Sequence, residues 1–173
     1  MTQSPGRSPD RTKKLVTYGV ITAAALVLGY IEAQIPYFFT VPGIKLGLAN
    51  TAAVFALYRL SWGGAAAISA VRVLVFGLLF TSPFSMLFSA VGAAVSLAVM
   101  ILLKKTGKFS PVGVSAAGGA AHNLGQIAVA AVVMENTGVY WFFPVLCISG
   151  VVSGTAVGII AGLIVKRMKN ARI

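Results

Sequence analysis

The stretch WGGAAAISAVRVLVFGLLF, residues 62–80, decides how the rest of the chain is read. A helix needs roughly 20 mostly apolar residues to cross a hydrocarbon core, and this run comes close with a single charge, Arg72, near its middle. An ionisable side chain is costly inside a membrane, so it faces the bundle interior and is either paired or functional. The same run therefore predicts a membrane helix and a polar interior for it to face.

Apolar runs of the same kind lie on both sides. Leu15–Ile35, Leu46–Leu60, Phe84–Leu103, Val112–Met134 and Tyr140–Val165 join Trp62–Phe80 to give six expected spans. The expected fold class is an all-α integral membrane protein, with one six-helix domain over 15–167. A polar tail at 1–14, disordered by composition, and a short tail at 168–173 flank it. The first run is longer than a signal-peptide core and more spans follow it, so it reads as a retained helix. The second is short: a run of about 15 residues rises only about 22 Å as a helix. It is expected to be tilted, sunken or continued by irregular backbone from 36–45, which is tolerated at depth only where protein or a cavity surrounds it.

Composition agrees with this reading. Hydrophobic residues make up 58% of the chain and charged residues only 10%, against roughly 25% charged in an ordinary soluble domain. Mean hydropathy is +0.91. The net charge of +11 could suggest nucleic acid, but its distribution argues against that. Arg7, Arg11, Lys13 and Lys14 precede the first run, Arg59 follows the second, and Lys104, Lys105 and Lys108 follow the fourth. Lys166, Arg167, Lys169 and Arg172 close the chain. Clusters at alternate ends of spans are the positive-inside pattern, whereas a nucleic-acid face gathers its charge on one wet surface. The pattern predicts a multi-pass protein of the cell membrane with both termini in the cytoplasm, the lipid bilayer around it and no nucleic-acid partner. Cys147 is the only cysteine and lies in an apolar run, so it reads as a packing residue.

The polar residues inside the apolar runs are few. Glu32 and Gln34 lie near the outer end of the first, Lys45 and Asn50 around the start of the second, and His122, Asn123 and Gln126 midway along the fifth. Lys45 sits in PGIKLGLAN, residues 42–50, just after a Pro-Gly break. Two readings stand side by side. In one, Arg72 pairs with Glu32, Lys45 snorkels to the headgroups and His122 is a satisfied core histidine. In the other, Lys45 and Arg72 are the cationic part of a site for an anionic substrate. Glu32 and Asn50 are then substrate-binding residues of the same site, and His122, Asn123 and Gln126 supply directional hydrogen bonds. Two cations against one nearby acid leave a positive charge over for a ligand.

No catalytic set is visible. The acids are Asp10, Glu32 and Glu135, far apart in the sequence. No paired carboxylates, HExxH, CxxC or Walker loop occur, so neither an enzyme, a metal site nor a cofactor is expected. Aromatic residues crowd PYFFTVPGIK, residues 36–45, and Tyr140–Phe143. They read either as an interfacial belt or as a lid and rim over an outward pocket. Small residues recur every fourth position at Gly150, Gly154, Gly158 and Gly162, more loosely at Ser85, Ser89, Gly92 and Ser96, and in the first run as Gly19 with Ala23 and Ala25 with Gly29. Such faces let another helix approach closely.

PGIKLGLAN followed by ALYRLSWGGAAAISAVRVLVFGLL, residues 56–79, resembles a bacterial membrane family called heptaprenyl diphosphate synthase component I or the Gx transporter family. The resemblance extends over residues 15–167. That family looks related to the substrate-binding S-components of energy-coupling-factor (ECF) transporters. The resemblance implies six helices, an outward pocket closed by loops, a membrane scaffold subunit and two cytoplasmic ATPases as partners. It also implies a small-residue docking face on the first helix, here Gly19, Ala23, Ala25 and Gly29, although a strict Ala-x-x-x-Ala falls in the second run at Ala52 and Ala56. The expected function is a substrate-binding membrane transporter subunit that takes up a small anionic molecule. The alternative is a non-catalytic membrane component associated with heptaprenyl diphosphate synthesis. Known prenyl synthases hold magnesium with aspartate-rich DDxxD motifs, and the one aspartate here, Asp10, lies in the tail.

Overall fold

A computed structural model describes residues 9–35 and 46–168. The connection 36–45, with Lys45 and most of the first aromatic cluster, lies outside the described residues, as do Arg7, Lys169 and Arg172. The described chain forms six α-helices: α1 (Pro9–Gln34), α2 (Asn50–Arg59), α3 (Trp62–Phe80), α4 (Pro83–Thr106), α5 (Pro111–Val133) and α6 (Phe143–Arg167), with a 3₁₀ turn at Thr137–Phe142 before α6. All except α2 are long and apolar enough to cross a membrane.

The boundaries follow local chemistry. Ser61, Ser82 and Ser110 cap α3, α4 and α5 by accepting hydrogen bonds from the amides of Gly64, Ser85 and Gly113. Pro83 and Pro111 sit at the helix starts, where a missing amide hydrogen costs nothing. Helix α4 ends on Gly107 in the left-handed conformation. Helix α1 begins at Pro9 rather than Leu15, so Arg11, Lys13 and Lys14 ride exposed on its first turns.

The second run departs from the expected span. Gly47 takes the left-handed conformation, φ 74°, and the backbone turns through Leu48 and Ala49, with the Asn50 amide donating to the Gly47 carbonyl at 2.8 Å. Only ten residues remain helical, a rise of about 15 Å. Every residue from Thr51 through Leu57 is buried. Helix α2 is thus a half-length helix wrapped by protein, the setting in which irregular backbone at membrane depth is tolerated.

Helices α3, α4, α5, α6 and α2 pack in that order into a ring that closes through α2 against α3, and α1 lies against α2 and α3. The tightest seams are α5 with α6 and α5 with α4. Glycine creates the first: a Cβ on Gly150 would fall 2.6 Å from the Gly119 carbonyl oxygen, and one on Gly154 would fall 2.5 Å from that of Ser115. Most of the four-residue ladder in α6 is therefore occupied inside the chain. One end of the ring is filled by an apolar core around Val54, Leu57, Ile68, Met100, Val114 and Val157. That end carries Arg59, Lys104 and Lys166 and is called the basic end below.

Candidate functional site

Above α2, toward the opposite end, the ring is hollow. A cavity of about 70 Å³ takes wall residues from all six helices: Glu32 of α1, Asn50 of α2, Arg72 of α3, Ser89 of α4, His122, Asn123 and Gln126 of α5, and Ser153 of α6. Gly47 and Gly119 complete it. Six of the seven polar residues expected from sequence converge here, and the seventh, Lys45, lies outside the described residues.

Their roles differ. The Arg72 Nε is buried and has no hydrogen-bond partner among the described residues. It feels the charge of Glu32, but no ion pair joins the two among the described residues. The buried Glu32 carboxylate instead accepts a 2.7 Å hydrogen bond from the Gly47 amide. This bond ties the far end of α1 to the turn that starts α2, and the left-handed backbone at Gly47 aims the amide. Asn123 faces two ways: it lines the cavity, yet its amide nitrogen donates to the Leu146 carbonyl at 2.5 Å. That contact, with a longer donation to the Ser149 hydroxyl at 3.5 Å, pins α5 to α6, so the donor half of its hydrogen-bonding capacity is structural. Helix α5 can bring His122 and Gln126 close to α4 because Gly92 stands opposite. A Cβ there would lie 3.0 Å from the His122 ring and 2.9 Å from Gln126.

Sequence reasoning placed Ser89 in a small-residue ladder and did not single it out for the site. Its signal is positional, one turn before Gly92 on the α4 face that meets α5. A second hollow of about 80 Å³ adjoins the first and shares Glu32, Arg72 and Ser89 with it. Helix α2 points its N-terminal end at the first cavity, and that end of a helix dipole favours anions. Discontinuous membrane helices present such ends to anionic groups.

The small residues of α1 divide. Ala25 is fully buried, and Gly29 rests against Phe76 and Ala49, so both serve packing within the chain. Gly19 has open space around it and Ala23 is exposed. Tyr140, Trp141 and Phe142 are exposed on the 3₁₀ turn and line neither cavity, and Trp141 is 87% exposed. At the basic end, Lys104 donates to the Leu57 carbonyl and lies 5.0 Å from the centroid of the Tyr58 ring. Arg59 donates to the Met168 carbonyl at 2.8 Å. Among the described residues no group of three or more His, Cys, Asp or Glu side chains could hold a metal.

A family model described as heptaprenyl diphosphate synthase component I matches residues 21–164, and the chain belongs to this family. No curated protein and no solved structure matches it.

Proposed function

Taking membership of the heptaprenyl diphosphate synthase component I family as the premise, we propose that the chain is a non-catalytic, substrate-binding membrane subunit for a small anionic molecule, acting in transport like an ECF S-component. One observation carries the reading: the buried Arg72 Nε, without an acceptor among the described residues, in a polar cavity to which every helix contributes. A buried donor left unsatisfied costs about 1–3 kcal/mol, and more when charged, and an anion is the partner that would satisfy it. The α2 N-terminus adds to the same field. Both termini face the cytoplasm in this proposal, which puts the cavity toward the outside of the cell membrane. Lys45 supplies a second cation from the connection before α2, and the exposed Gly19 and Ala23 offer a docking face to a scaffold subunit coupled to ATPases.

The test is native mass spectrometry of the purified chain, with small molecules released and identified. The parent is expected to retain an anion, and Arg72→Gln is expected to lose it by about 10-fold to 100-fold, the worth of a charge-assisted hydrogen bond. Equal retention by parent and variant would refute the assignment.

The family description favours a second reading, a membrane partner of a prenyl diphosphate synthase. Co-purification separates the two: scaffold and ATPase subunits support the first, a soluble prenyl synthase the second. In either case the pure chain is expected not to elongate prenyl diphosphates with magnesium present, because Asp10 is its only aspartate.

A further inference from the structure

The two adjoining hollows have different chemistry, and their shared wall is where the charges sit. The first is polar, with the amides of Asn50 and Gln126 and the hydroxyl of Ser89 among its donors and acceptors. The second is walled by Gly29, Ala33, Ala49, Val73, Phe76 and Met86, with Gly77 and Thr81 at its margin. The Thr81 hydroxyl donates to the Gly77 carbonyl at 3.1 Å, so its hydrogen bond is spent on its own helix. Apart from the shared Glu32, Arg72 and Ser89, this chamber offers a ligand apolar surface.

Size narrows the occupant further. The chambers measure about 80 and 70 Å³. At about 10–15 Å³ for each water-sized group, each takes roughly five to seven non-hydrogen atoms. A heptaprenyl tail would overfill both. Glycine at 77 also bears on the apolar chamber, since a Cβ there would drive into Met86.

We propose that the ligand is a small amphipathic anion that straddles Arg72, with its anionic group at the guanidinium, a hydrogen-bonding end in the α5 chamber and a compact apolar end against Phe76 and Met86. This rests on the anion-binding reading above and adds the apolar half. Ala33 and Met86 decide what fits the apolar chamber, whereas Gln126 serves the polar one.

Matched probes separate the inference from its premise. Phenyllactate carries a carboxylate, a hydroxyl and a phenyl group; lactate lacks the ring, and 3-phenylpropane-1,2-diol lacks the charge. Binding to the full chain in nanodiscs is measured by calorimetry, with 2-hydroxy-4-methylpentanoate as an aliphatic counterpart of phenyllactate. At least one of the two amphipathic acids is expected to bind about tenfold or more tighter than lactate, an apolar gain of the size expected for a buried hydrocarbon group. Ala33→Leu fills the apolar chamber from an exposed position and should erase that advantage. Met86→Phe should do the same from the opposite wall. Gln126→Ala should weaken both acids alike. If lactate binds as well as the amphipathic acids and all lose binding in Arg72→Gln, the amphipathic inference falls and the anion reading stands. If the diol binds as well as the acids and Arg72→Gln changes nothing, both fall. Both are also overturned if no probe binds.

Discussion

At its C-terminal end α2 meets Lys104, whose ammonium donates to the Leu57 carbonyl, and it sends Arg59 to the Met168 carbonyl. At its N-terminal end it meets a hollow where the Arg72 Nε has no acceptor among the described residues. Both ends place cations in an apolar bundle, Arg72 far more deeply buried than Lys104. At one end carbonyls of the chain accept from Lys104 and Arg59, although the buried Tyr58 hydroxyl has no partner among the described residues, and apolar side chains fill the space between the helices. At the other the Arg72 Nε has no acceptor among the described residues and borders a cavity of about 70 Å³. The contrast is one of hydrogen bonding: among the described residues the fold gives Lys104 and Arg59 carbonyl acceptors and gives the Arg72 Nε none.

The largest effect that would test this contrast is at the closed end. Lys104→Ala removes a charged hydrogen bond to the last turn of α2 and a cation over the Tyr58 ring. Together these are worth about 3 kcal/mol in a partly buried setting. An equilibrium unfolding titration in mixed micelles should show that loss with ligand retention unchanged. A variant as stable as the parent would mean that this end is not fastened by Lys104.

A smaller effect is expected at the wall between the two ends. Asn123→Ala leaves the Leu146 carbonyl without its donor in the α5–α6 seam. It should cost about 1–2 kcal/mol, read by the same titration. A loss of ligand without any loss of stability would reassign Asn123 wholly to the cavity.

Much of this was legible in the sequence, and the exceptions have physical causes. Trp62–Phe80 emerged as α3 with the bounds read from its hydropathy, because a lipid-facing helix advertises itself along its whole length. The convergence of Glu32, Asn50, Arg72, His122, Asn123 and Gln126 was also legible, since so few polar residues occur inside the apolar runs that a shared interior is the economical place for them. The shortness of residues 46–60 pointed to a sunken helix continued by irregular backbone, as α2 and the Gly47 turn are, but not to what surrounds it. Apolar composition does not distinguish a helix surrounded by lipid from one surrounded by protein, and α2 is buried all round. The Arg72–Glu32 ion pair was a fair reading of charge count. What composition does not reveal is that Glu32 also accepts from the Gly47 amide, aimed by a left-handed backbone. Lys104 counted only as an orientation signal, and its contact with α2, distant in sequence, has no local signature.

That Gly47 turn sets the next effect. Gly47→Ala should cost about 1 kcal/mol, the penalty for a Cβ in the left-handed region. The new atom would meet only Asn50 Nδ2 at 3.5 Å and Val157 Cγ2 at 3.8 Å, both ordinary contacts. Gly47→Asn should cost less, because asparagine tolerates this conformation. Equal costs for the two variants would show that contacts at this turn, rather than backbone conformation, dominate.

The smallest expected change in stability is the sharpest test of the comparison. Glu32→Gln with Arg72→Met removes both charges from the hollow end in one variant. The glutamine carbonyl can still accept from the Gly47 amide, so the tie between α1 and α2 survives, and methionine fills a similar volume to the arginine stem. Removing Arg72 alone would leave Glu32 buried beside no cation, which is costly; removing both leaves no orphan charge. Replacing two interacting buried charges together with neutral groups is often neutral or stabilising by about 1–4 kcal/mol. The double variant should therefore unfold no more easily than the parent, while the ligand retained by the parent disappears. A double variant as destabilised as Lys104→Ala would show that Arg72 and Glu32 hold the fold together, and the distinction between the two ends of α2 would collapse.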